Sequence, residues 1–112
     1  MSSAQGQRIQ ASCEVIWGKG DYDLDVETDD WVNYAAIVRK VFGDSLGPPL
    51  TMTGLCNSSD QAWDELDRML RVWAKQVQSG KPITKDQTLE IFGGPKGQSK
   101  AVLEQLWLLE KR

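Results

Sequence analysis

Residues 93–100, GGPKGQSK, place glycines, lysines and a serine ahead of an apolar stretch, a composition that could hold a phosphate group. A phosphate-binding P-loop needs G-x-x-x-x-G-K-[ST], because backbone N–H groups wrap the phosphates while the lysine and hydroxyl reach them. The order here is Gln98, Ser99, Lys100, so the pattern fails. The segment predicts a loop followed by a helix start. The alternative is an anion site at that helix N-terminus, formed by Lys96, Ser99 and Lys100.

Acidic residues repeat at alternate positions after residue 20: Asp21, Asp23, Asp25, Glu27 and Asp29, followed by Asp30. A calcium loop beginning at Asp21 would need a glycine and a closing glutamate where the chain has Val26 and Val32. No metal site is therefore predicted. Because alternate strand residues point to one side, the residues from Asp21 to Glu27 predict a solvated strand face, or an acidic docking surface for a basic partner.

The two cysteines, Cys13 and Cys56, are the candidate nucleophiles. The chain has no histidine, which removes the commonest general base and the usual transition-metal ligand. A lysine or a helix N-terminus would have to lower the thiol pKa instead, so both residues are interpreted as buried, reduced thiols. Carboxylates are plentiful, yet no spacing singles out an acid–base pair. A small enzyme without histidine is the third functional hypothesis, with no catalytic residue or cofactor predicted.

Five tryptophans in 112 residues are the remaining candidates for a functional surface. Trp63 and Trp73 flank one apolar face of a predicted helix, since ten residues turn through about 1000°. Core packing is one interpretation. The other is a partly exposed tryptophan surface that binds a protein partner.

The elements that would position these residues follow from the spacing of apolar side chains. Residues 1–6 are predicted to be a disordered tail. Residues 7–17 and 22–27 alternate between apolar and polar side chains and predict a β-hairpin across GKGD. A first helix is predicted from residue 28 to Phe42, because Tyr34, Ala35, Val38 and Val41 recur at helical spacing.

The second half of the chain predicts a loop, a strand and two or three helices. Residues 43–49 read as a loop, and residues 50–56 as a third strand. Ser58 with Gln61 begins a helix that ends near Gly80. Residues 83–92 form either a short helix capped by Thr84 or a strand through TLEIF, with the cap favouring the helix. Residues 99–111 predict a final amphipathic helix.

These elements predict one α+β domain over residues 7–112, in the order β-β-α-β-α-(α)-α. It would be a small, mainly antiparallel sheet, an N-terminal hairpin plus a third strand, with three or four helices packed on one face.

The net charge of −3 gives no general attraction to nucleic acids or anionic membranes. No signal peptide or apolar run of membrane-spanning length is visible, so an intracellular location and no membrane partner are expected. The predicted function is therefore a non-enzymatic protein-interaction domain, which binds a protein partner or a second copy of itself. The alternative is nucleic-acid binding through a basic second half of the chain.

Overall fold

The computed structural model describes residues 3–29 and 32–93, which form an α+β fold of three helices and a three-stranded antiparallel sheet. The elements are α1 (Ser3–Trp17), β1 (Tyr22–Asp29), β2 (Asn33–Phe42), β3 (Ser45–Met52), α2 (Ser59–Gln78) and α3 (Lys85–Phe92). The α+β class is confirmed. The predicted order of elements is wrong, since the described order is α-β-β-β-α-α. The predicted helix over residues 99–111 and the anion site at Lys96, Ser99 and Lys100 lie outside the described residues.

The N-terminal segment is helical where a strand was predicted. Ile9 and Cys13, four residues apart, are fully buried, whereas Ala11 and Val15 between and after them are exposed. The alternating pattern therefore contains a helical one, and packing against α2 selects the helix. The helix begins at Ser3, inside the segment predicted as a disordered tail.

The strand β2 occupies the segment predicted as the first helix. Its residues Ala35, Ala36, Ile37 and Val38 are all buried, so this central strand carries apolar side chains on both of its faces. A short continuous apolar run fits a helix and a buried strand equally well by spacing. The two flanking strands decide between them, because they supply hydrogen bonds on both sides.

The strand β3 starts earlier than its sequence predicts and is joined to β2 by a tight turn. Gly43 has a φ of 59°, a left-handed conformation that glycine adopts without steric cost. Residues 45–49 were predicted as loop because of Pro48 and Pro49, which are tolerated here because β3 is an edge strand in the described sheet. After β3, Cys56 still exchanges two backbone hydrogen bonds with Tyr34.

Helices α2 and α3 are confirmed with their predicted caps. The Ser58 hydroxyl accepts a hydrogen bond from the Gln61 amide at 3.1 Å, which satisfies a backbone donor in the first turn. At α3, Thr84 and Gln87 form a complete capping box. The helix interpretation of residues 83–92 is therefore correct.

Helices α1 and α2 pack side by side and run parallel. Gln5 donates to Asp64 at 2.9 Å, and Arg8 forms an ion pair with Asp67 at 2.8 Å. Both contacts join residues 59 positions apart, and a constant offset requires the same direction. The two helices cover one side of the sheet, which we call the inner face. The core between them contains these buried side chains: Ile9, Cys13, Tyr22, Ala36, Val38, Cys56, Ala62, Leu66 and Leu70.

Candidate interaction surface on the sheet

The strand β1 separates its apolar and acidic side chains onto opposite faces. Three of its side chains pack on the core at the inner face: Tyr22, Leu24 and Val26. The alternate residues Asp23, Asp25 and Glu27 consequently lie on the opposite side, the outer face of the sheet. We call these three residues the acidic row. Asp21 precedes the strand, and its carbonyl accepts a hydrogen bond from the Val41 amide.

The acidic row also protects the edge of the sheet. Because Val41 donates to Asp21, the odd-numbered residues of β1 point their backbone groups at β2. The Val26 amide therefore points to the edge of β1 away from β2, where it donates to the Asp25 carboxylate at 2.8 Å. A carboxylate on that amide blocks the addition of another strand at this point. The Glu27 carboxylate lies 3.5 Å from the Arg39 guanidinium on β2.

Apolar side chains lie beside the acidic row on the outer face. Ala35 and Ile37 of β2 are paired with Glu27 and Asp25, and Met52 of β3 is paired with Ile37 on its other side. Ala35 and Ile37 are buried, but Met52 is 51% exposed. The face is thus acidic along β1 and mainly apolar along β2 and β3, with Arg39 of β2 as a basic residue beside Glu27.

A shallow depression of about 190 Å³ lies where the acidic and apolar parts meet. Its lining includes the side chains of Glu27 and Asp29 from β1, Ala35 from β2, and Met52 and Leu55 at the end of β3. Leu55 is 59% exposed. The depression can hold an apolar side chain against leucine and methionine, with a cationic group at the carboxylate rim. We call the acidic row together with Ala35, Ile37, Met52 and Leu55 the outer sheet face.

The candidate tryptophans lie on the other side of the molecule. Trp63 and Trp73 are half-buried and pack against the core from α2. Trp73 contacts the rings of Trp17 and Phe92 edge-on, with centroids 5.1 and 5.0 Å apart. These contacts join α1, α2 and α3, which no local spacing in the sequence indicates. The structure does not bring Trp63 or Trp73 together with the acidic row.

Comparison with protein-family models, with curated proteins and with solved structures gives no match.

The basic residues of α2 are divided between two sides of the helix. The Arg68 side chain binds the Glu65 carboxylate and donates to the backbone carbonyls of Glu90 and Ile91, at 2.7 and 3.0 Å. Arg68 therefore holds the end of α3 against α2. Arg71 and Lys75 lie instead beside α1.

Glu65 is the most buried carboxylate described, with its side chain 2% exposed. Burial raises its pKa, and the hydrogen bond and charge of Arg68 partly oppose that rise. Its place beneath the surface suits a structural role in joining α2 to α3.

Both cysteines are free thiols in the core, as the sequence predicts. Burial raises the pKa of Cys13 to about 12 and also raises the pKa of Cys56. A nucleophilic cysteine needs access to its substrate and a lowered pKa. Neither thiol meets those conditions.

Among the described residues, no three cysteine or carboxylate side chains converge to form a metal-binding group. None of the three helices in this part of the chain is long and apolar enough to cross a membrane.

Proposed function

We propose that this chain is a non-enzymatic protein-interaction domain whose outer sheet face binds a basic segment of a protein partner. The observation that carries the proposal is the position of exposed Met52 and Leu55 directly beside the carboxylates of β1. Exposed apolar side chains rimmed by charges are typical of protein interfaces, where an apolar centre is surrounded by polar groups.

The spacing of the acidic row specifies the form of the partner. Alternate residues on a strand lie about 6.8 Å apart. An extended segment with lysine or arginine at every second position presents its charges at the same interval. One apolar side chain in line with them would reach the depression beside Leu55.

The apolar anchor and the charges contribute differently to this binding. Fully burying a leucine or methionine side chain stabilises by about 1.5–3 kcal/mol, and Met52 and Leu55 begin about half-buried. Exposed ion pairs contribute only about 0.2–1 kcal/mol each and weaken in salt. The anchor therefore supplies much of the affinity, while the carboxylates select a basic sequence and speed its association.

A peptide titration tests the proposal. The probe is a fluorescein-labelled peptide with lysine at three alternate positions and leucine at the next alternate position, made in both orders. We expect a Kd on the order of 0.1–1 mM at low salt. Introducing Asp23→Asn together with Asp25→Asn should weaken binding by about two- to thirtyfold, since two exposed pairs are lost. Leu55→Ser should weaken it as well.

Matched controls separate this surface from general charge effects. Asp44→Asn with Asp86→Asn removes two exposed carboxylates elsewhere and should leave the Kd unchanged. A peptide of the same composition with consecutive lysines should bind more weakly. Equal affinity for both peptides, or equal losses in both double variants, would mean that net charge alone attracts the peptide and that the outer sheet face is not the site.

A further inference from the structure

A second groove lies between the exposed sides of α1 and α2, and we call it the helix groove. It is an open groove with a volume of about 230 Å³. Ala11, Ser12 and Val15 line it from α1, and Arg71 and Lys75 line it from α2. Ala74 and Gln78 complete its described lining, which contains no acidic residue. The helix groove is therefore basic and partly apolar.

Arg71 differs from the other arginines of the described residues. Arg8, Arg39 and Arg68 each form an ion pair with a carboxylate. Arg71 and Lys75 form no ion pair among the described residues, and like charges four residues apart on a helix repel each other.

The helix dipole explains only one of these two positions. Lys75 lies in the last turn of α2, where a cation is favourable. Arg71 is a full turn earlier, and the dipole effect falls off within the last turn. Carboxylates placed opposite Arg71 and Lys75 would offset the repulsion between these two cations. The helix groove is therefore suited to an acidic surface.

We propose that the helix groove binds the outer sheet face of a second copy of this chain. The inference rests on the proposed function, because it names a partner for that face. Arg71 and Lys75 are one helical turn apart, about 6 Å along the axis. Neighbouring positions of the acidic row are about 6.8 Å apart, so Asp23 and Asp25, which form no ion pair among the described residues, match the spacing of the two cations.

The apolar parts of the two surfaces are also complementary. Val15 is 36% exposed at the helix groove, and Met52 and Leu55 are more than half exposed on the outer sheet face. Contact between copies would cover these side chains while the charges pair beside them. The contact would therefore combine an apolar centre with opposite charges beside it.

The contact requires two copies because the two surfaces point away from each other. The helix groove lies on the side of α1 and α2 that faces away from the sheet, and the acidic row lies on the side of the sheet that faces away from the helices. A contact between two different surfaces of identical chains does not close into a symmetric dimer. It instead extends from copy to copy or closes into a ring of more than two copies, so the average mass should rise above that of a dimer as the concentration increases.

Complementary charge reversal tests this inference. The first protein, the sheet variant, carries Asp23→Lys with Asp25→Lys. The second, the groove variant, carries Arg71→Glu with Lys75→Glu. Each is examined alone and in an equimolar mixture by sedimentation equilibrium up to about 1 mM, where a millimolar Kd becomes visible. Circular dichroism and urea denaturation establish that both variants are folded.

We expect the wild-type chain to exceed its 12.5 kDa monomer mass at low salt and to return to it in about 0.3 M sodium chloride, where charges are strongly screened. Each variant alone should remain monomeric, because its two surfaces then carry the same sign. The mixture should associate again, since each surface meets its complement. A control with Asp44→Lys and Asp86→Lys changes the net charge by the same amount as the sheet variant and should associate like the wild type.

Two outcomes would overturn the inference. One is a wild-type chain that stays monomeric at every concentration and at low salt. The other is association that persists in either variant alone. The basic peptide distinguishes this failure from failure of the proposed function: if the peptide still binds the outer sheet face, the partner is another basic protein and only the self-association is wrong.

Discussion

At the scale of single residues, Glu65 and Arg68 show how a buried charge connects two helices. The Glu65 carboxylate is almost completely removed from water, which disfavours its ionised form. Arg68 compensates in part and also donates to the last carbonyl groups of α3. The position of α3 therefore depends on a charge whose burial costs free energy.

The pH dependence of stability follows from the raised pKa of Glu65. The pKa of Glu65 has the ordinary glutamate value of 4.5 in the unfolded chain and a higher value in the folded chain. At a pH between these two pKa values, the Glu65 carboxyl is protonated more often in the folded chain than in the unfolded chain. The contribution of Glu65 to the free energy of unfolding is therefore greatest at low pH and falls as the pH rises through that window. Glu65→Gln keeps an oxygen acceptor for Arg68 and has no proton to lose.

We expect the stability of Glu65→Gln, measured relative to wild type by urea denaturation, to increase as the pH rises from 4.5 towards neutrality. Glu90→Gln removes one exposed carboxylate and serves as the control for net charge. A difference between Glu65→Gln and wild type that stays constant across this range would contradict the assignment of a raised pKa to Glu65.

At the scale of elements, α2 organises both layers of the fold. Its N-terminus is capped by Ser58, its inner side packs on the sheet, and its flanks contact α1 and α3. Leu66 and Leu70 are fully buried in the core that it shares with β2. Asp60 in its first turn and Lys75 in its last turn complement the helix dipole.

Truncating the buried leucines of α2 should be costly. We expect Leu66→Ala and Leu70→Ala each to lower the free energy of unfolding by roughly 2–5 kcal/mol, because each leaves a cavity in a packed core. Val77→Ala, at a position 39% exposed, should cost far less. Chemical denaturation compares the free energies of unfolding of these variants, provided that their m-values are unchanged. Equal losses at Leu66 and Val77 would show that α2 faces the sheet differently.

At the scale of the whole molecule, one core joins segments that are far apart in the chain. Cys13 comes from α1 and Cys56 from the link between β3 and α2, and both are in the same cluster of buried residues. Their exposed fractions are 0% and 2%. Each thiol should therefore become accessible only when this core opens.

Thiol labelling at pH 8 can test whether the core opens as one unit. With a pKa of about 12, native Cys13 has only about one thiolate in ten thousand molecules. We expect both cysteines to react slowly in the folded chain. The free energy of opening calculated from each labelling rate should equal the global free energy of unfolding from denaturation. Mass spectrometry of the digested protein assigns the rates. Faster labelling of Cys56 would reveal local opening next to β3 and would contradict a single cooperative core.

Some of this fold was determined by local sequence alone. The caps at Ser58 and Thr84 are satisfied by residues three positions away, so the starts of α2 and α3 could be predicted without any tertiary contact. The strand at Asp23 to Glu27 was also predicted correctly, from the alternation of its apolar and acidic residues. The acidic row of the candidate surface was therefore visible in the sequence.

Tertiary structure decided the elements whose apolar spacing fits more than one conformation. Residues 7–17 contain both an alternating and a helical pattern, and contact with α2 selects the helix. Residues 33–42 form a short apolar run that becomes a strand because β1 and β3 pair with it on both sides. The apolar half of the outer sheet face, with Ala35 and Ile37, could not be predicted while this run was interpreted as a helix. Long-range hydrogen bonds and shared burial, which have no signature in local spacing, determined that part of the protein.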